Sequence, residues 1–177
     1  MRNCEKETSR ALCASNIPWH TRARGRFSLF FTWRGMNVLE DWLESHSSSL
    51  HCAPGVQDHV EFDGENSRAS TVSLNCKASY GVRLATLLHE CGHIIIFFRR
   101  RRNKTKRIFG CSHHEWWSRK GRCRRRTKSL KLSTLEEEIG AWELGERLGK
   151  RLGVRFSRKT LERVRTRALL TYTRDCH

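Results

Sequence analysis

Leu87-Leu88-His89-Glu90-Cys91-Gly92-His93-Ile94-Ile95-Ile96 decides what the rest of the chain has to be. As a helix, this stretch sets His89 and His93 one turn apart on one face, with Glu90 beside the first of them. Two imidazoles so placed can ligate a metal ion, and the carboxylate next to them is positioned to take a proton from water that the metal activates. The competing reading is a core helix whose two histidines are satisfied by backbone carbonyls. Burying that pair with a carboxylate alongside is costly without a metal, which favours the first reading.

The flanking sequence agrees with a metal helix. Thr71-Val72-Ser73-Leu74-Asn75 alternates polar and apolar residues and reads as a short, half-buried strand. After the turn-like Ala78-Ser79-Tyr80-Gly81, the residues Val82, Leu84, Leu87, Leu88, Cys91, Ile94 and Ile95 recur at the spacing of a buried helix. His59-Val60-Glu61-Phe62 predicts a second strand ending in the Asp63-Gly64-Glu65-Asn66 turn, and the two strands make a small antiparallel sheet beside the helix. Ser45 to Gly55 reads as a polar loop. Its His46, His51 and Cys52 lack a recurring metal-ligand spacing and are expected to be ordinary loop residues. Cys91, two residues after His89, is expected to point away from the metal face and fill the core.

A catalytic zinc needs a third protein ligand and one position left open. Ser133-Thr134-Leu135-Glu136-Glu137-Glu138-Ile139-Gly140-Ala141-Trp142 is the best source. Ser133 and Glu136 have capping-box spacing, which predicts a helix from Ser133 to about Leu152, with Gly153 as its stop and Lys150 and Arg151 in its last turn. On that helix Glu138, Ala141, Trp142, Gly145 and Gly149 share one side. Small residues there let another helix approach, despite roughly 1 kcal/mol of helix propensity lost at each interior glycine. A carboxylate on such a face is a candidate ligand. Glu136 and Glu137 read instead as acids suited to the positive end of the helix dipole.

Thr86-Leu87-Leu88-His89-Glu90-Cys91-Gly92-His93 together with Glu136-Glu137-Glu138-Ile139-Gly140-Ala141-Trp142-Glu143-Leu144-Gly145 resembles small zincin-like metallopeptidases of bacteriophages and, more distantly, ImmA/IrrE-type gluzincins. The likeness covers residues 71–98 and 134–153. It implies an α+β fold: a minimal zincin-like domain with a small antiparallel sheet, the HExxH helix and a second ligand-bearing helix. It also implies Zn2+ held by His89, His93 and Glu138, the last through the E-x-x-A-W pattern, with Glu90 as catalytic base and a peptide or protein substrate whose backbone adds to an edge strand of the sheet. The spacer from Ile94 to Glu137 is longer and more basic than in most gluzincins.

With 177 residues the chain has room for one domain and an extension. Residues 1–35 read as a basic N-terminal appendage, in which Phe27, Leu29, Phe30, Phe31 and Trp33 form a short strand or adhesive patch. Residues 36–177 read as the domain. At its start Val38, Leu39, Trp42 and Leu43 share a helical face opposite Glu40, Asp41 and Glu44. At its end Ser157 caps a helix with Leu161, Val164, Ala168, Leu169 and Tyr172 inward and Arg158, Lys159, Arg163, Arg165 and Arg167 on its other face, which could meet nucleic acid. No continuous apolar run reaches the ~18 residues that span a bilayer, and the start lacks a secretory pattern, so the expectation is a cytoplasmic protein, in the host cytoplasm if phage-encoded. Eight irregularly spaced cysteines fit reduced thiols.

Charge is unevenly divided. Residues 36–98 carry three Lys/Arg against eight Asp/Glu, while residues 99–132 carry fifteen against one. This basic insert also holds Phe109, Trp116 and Trp117, a mixture that suits nucleic acid as well as a solvated loop. Cys111, His113, His114 and Cys123 within it have the ligand types for a second zinc, though not a standard spacing. His113, His114 and Tyr172 are candidates for oxyanion donors. Two functions follow: a zinc-dependent metallopeptidase with Glu90 as general base, or a basic nucleic-acid-binding or regulatory protein with a structural or inactive metal site.

Overall fold

The computed structural model describes residues 26–63, 69–102 and 128–174. Its elements run α1 (Arg26–Ser45), β1 (Ser48–Ala53), β2 (His59–Phe62), β3 (Ser70–Asn75), α2 (Tyr80–Arg102), α3 (Lys128–Arg151) and α4 (Arg158–Arg174). The fold is α+β. The two strands expected from sequence pair antiparallel, with Val60 opposite Val72 and Glu61 opposite Thr71. Alternation in β3 works as its sequence requires: Ser70, Val72 and Leu74 are buried, while the residues between them are half-exposed.

The sheet is mixed rather than antiparallel, and the segment expected to be a polar loop supplies the difference. Ser48 to Ala53 forms β1, which pairs parallel with β3, so that β3 is central in the order β1-β3-β2. The run Ser47-Ser48-Ser49 hid the strand because serine is rarely a core residue. Here Ser48 lies directly opposite Ser70, and the two buried hydroxyls hydrogen-bond at 2.6 Å, so each removes the desolvation penalty of the other. Ser49 and Thr71 repeat the pairing one residue on at 3.2 Å, on the exposed side.

α2 is the helix against which α1, β2, β3, α3 and α4 pack. Leu84, Leu87, Leu88, Cys91 and Ile94 are fully buried, in a core completed by Leu39 and Leu43 of α1, Val72 and Leu74 of β3, Leu148 of α3 and Leu161 of α4. Among the described residues, Tyr80–Arg99 is the one helical stretch long and apolar enough by length and composition to cross a membrane, although no uninterrupted apolar run in it is that long. More than half of that stretch is buried within the fold, where its apolar residues form the core. Cys91 fills the core as expected, and burial pushes its thiol well up from the ordinary range.

Helix boundaries differ from expectation at the starts. α1 begins at Arg26, so the division drawn between residues 35 and 36 falls inside one helix, while residues 1–25 lie outside the described residues. α3 begins at Lys128, which puts Ser133 and Glu136 within the helix and removes their capping-box role. Its end is as predicted. Gly153 takes φ 68°, its N–H donates to Lys150 O at 3.2 Å, and the Val154 N–H donates to Gly149 O at 2.9 Å, the paired bonds of a glycine C-terminal cap.

Candidate metal centre

α2 and α3 meet backbone to backbone. A Cβ placed on Gly92 would lie 1.9 Å from the Ala141 carbonyl oxygen, and one on Gly145 would lie 1.9 Å from the Leu88 carbonyl oxygen. No side chain fits at either point, so glycine is required there by space. The two contacts lie next to the candidate ligands: Leu88 and Gly92 flank His89, while Ala141 lies one turn from Glu138. Close approach therefore carries a carboxylate of α3 to the two imidazoles of α2.

His89, His93 and Glu138 each offer a ligand atom, and these atoms lie within 4.8 Å of one another. The two Nε2 atoms are 3.1 Å apart. Glu138 spans them, with Oε2 3.2 Å from His89 Nε2 and Oε1 3.6 Å from His93 Nε2. A tetrahedral ion bonded at about 2.0–2.1 Å sets its donors about 3.3 Å apart. The 3.1 Å between the two imidazole nitrogens is close to that value, and Glu138 approaches the two rings through different oxygens, so the three residues together could hold a small divalent ion.

Each imidazole is held differently. His93 Nδ1 faces the Glu137 carboxylate at 3.6 Å. Burial alone would lower the His93 pKa, but the carboxylates of Glu137 and Glu138 reverse this and hold it up at about 10. The ring of His89 stacks on Trp142, with centroids 4.3 Å apart and planes 20° from parallel. Its Nδ1 is buried without a hydrogen-bond partner among the described residues. Burial lowers the His89 pKa, against the opposing pull of Glu138. Glu138 shows the complementary balance: burial works to raise its pKa, and the two histidines bring it down to about 2.

Glu90 is 5% exposed, and burial raises its carboxyl to about 7, with Glu138 and Asp58 adding to the rise against the pull of His93. Asp58, just before β2, is held by the Asn75 N–H at 2.6 Å. Tyr172, on the last turns of α4, comes within hydrogen-bonding reach of Glu138; burial first, and then that carboxylate, keep its hydroxyl protonated well beyond the ordinary range. Of the three residues considered as oxyanion donors, Tyr172 is thus at the cluster. His113 and His114 lie outside the described residues, as do Cys111 and Cys123.

The structure corrects the reading of Glu137. It is no first-turn acid, because α3 begins more than two turns earlier, and it is 7% exposed against His93. Trp142 was legible as a same-face neighbour of Glu138, four residues on, but its stacking on His89 was not. His46 and His51 stay apart from the cluster: His46 Nδ1 meets the Trp42 carbonyl at 2.8 Å, and His51 is exposed on β1. Compared with protein-family models, with curated proteins and with solved structures, the chain matches none of them.

Proposed function

We propose that the protein is a zinc-dependent metallopeptidase. The observation that carries this reading is the convergence of His89, His93 and Glu138 from two helices, with the buried carboxylate of Glu90 adjoining the first ligand. The donor set of two imidazoles and one carboxylate suits zinc, which when bound would acidify water and polarise a peptide carbonyl. Glu90 accepts a proton from the attacking water at its carboxylate and passes it to the departing amide nitrogen. A carboxyl whose pKa lies near 7 is suited to both halves of that transfer. Trp142 covers one face of His89 and fixes its plane. Glu137 faces His93 Nδ1 at 3.6 Å and so favours Nε2 as the ligating nitrogen. Tyr172 donates toward Glu138, and a phenol beside the cluster suits the role of steadying the substrate oxygen that gains charge.

Glu90→Gln tests the reading directly. It removes the proton acceptor and keeps the shape, so zinc content should stay at that of the native chain while hydrolysis of a phage or host protein mixture falls by about 100- to 10,000-fold. Cleavage that persists unaltered in the variant would overturn the assignment. Glu137→Gln is expected to act through the metal instead, weakening zinc affinity by about 10- to 100-fold in competition with a chelating dye, with the melting temperature of the zinc-free protein little changed. An unchanged affinity would mean that Glu137 orients nothing.

A further inference from the structure

The outward side of α4 carries more positive charge than the fold uses. Between residues 143 and 174 there are three acids, Glu143, Glu146 and Glu162. Each is taken up by a helical neighbour: Arg147 at 3.9 Å, Lys150 at 2.7 Å and Arg158 at 2.8 Å. Lys159, Arg163 and Arg167 are left exposed at successive four-residue steps, with no carboxylate partner among the described residues. Like charges at that spacing repel each other along a helix, so folding gains nothing from the row.

The row also has a definite shape. From Lys159 to Arg167 it runs about 12 Å along a helix whose other side, through Leu161, Val164, Ala168 and Leu169, is fixed to the core. We propose that this face of α4 is a docking surface for the phosphate backbone of duplex nucleic acid. Three cations on a rigid rod can neutralise neighbouring phosphates and release their counterions. No aromatic side chain lies in the row, so it offers no stacking platform for single strands. A membrane surface is disfavoured as well, because the apolar side of α4 is turned inward and the outer side offers Leu170 alone. The inference goes beyond the peptidase reading and stands without it.

The test is fluorescence anisotropy of the full chain with a labelled duplex of about 20 base pairs, titrated between about 50 and 200 mM salt. Replacing Lys159, Arg163 and Arg167 together by Gln should weaken binding at least about tenfold and flatten the log–log salt slope by about 2 to 3, at an unchanged melting temperature. Replacing Arg147, Lys150 and Arg151 by Gln removes equal charge from α3 and should have far less effect. Equal losses from the two triple variants, or none from the first, would overturn the proposal. So would vesicles containing phosphatidylserine that depend on the same three residues as strongly as the duplex does. Glu90→Gln should leave duplex binding untouched, which keeps this result separate from the fate of the peptidase assignment.

Discussion

Gly145→Ala should unfold the protein at a markedly lower temperature, although helix propensity taken alone predicts the opposite. Exchanging an interior helical glycine for alanine normally gains about 1 kcal/mol. At Gly145 the new methyl would sit 1.9 Å from the Leu88 carbonyl oxygen and 2.5 Å from its carbon, and both belong to the backbone of a buried helix. Neither atom can swing aside as a side chain could. Relief requires α2 and α3 to separate by more than an ångström, which loosens the core and draws Glu138 away from the imidazoles. A loss of about 3 kcal/mol or more is expected, seen as a drop of roughly 10 °C by circular dichroism, with zinc uptake impaired. Gly140→Ala supplies the contrast on the same helix. Its methyl would meet only Ile96 Cδ1, at an ordinary 3.7 Å, so propensity should win and the melting temperature should rise. If both substitutions shift stability in the same direction, the backbone-to-backbone contact is not what holds the helices.

Glu138→Ala should abolish zinc retention, a larger effect than that of Glu137→Gln. Among the described residues Glu138 is the one carboxylate that approaches both Nε2 atoms, at 3.2 and 3.6 Å, whereas Glu137 reaches only the far nitrogen of His93. Its removal leaves two imidazoles and no third donor, and solvent in its place adds no charge to balance a divalent ion. The loss in affinity should therefore exceed the effect of Glu137→Gln, at about 100-fold or more, equivalent to about 2.7 kcal/mol. Zinc per chain after dialysis, determined by elemental analysis, is the measurement. Full retention would mean that the ligand set has been wrongly drawn, and with it the peptidase reading.

Residues whose role follows from local periodicity are legible in the sequence itself. His89 and His93 lie one turn apart because a helix puts them there, and the apolar residues spaced along α2 require that helix. The glycines of α3 announce close packing, since nothing else compensates for their lost propensity, and Glu138 on the same side follows from them. What escapes depends on partners distant in sequence. β1 is unreadable because its buried position is occupied by Ser48, which becomes acceptable only opposite Ser70, 22 residues on. Glu137 looks like a helix-terminal acid because the preceding helical turns, from Lys128, carry no capping signal. The arrival of Tyr172 beside Glu138 depends on how α4 folds back over α2 and α3, and spacing within α4 does not encode it.

That late arrival has a practical side. α4 is anchored to the core from Leu161 to Leu169, whereas the phenol that reaches the cluster sits beyond that stretch, close to the end of the helix. A protease nick between Leu169 and Tyr172 would strip that phenol while sparing the anchor. Such a sample would look healthy by spectroscopy and calorimetry yet have lost a group from its centre. Intact mass is accordingly the quality check to run before any negative assay is believed.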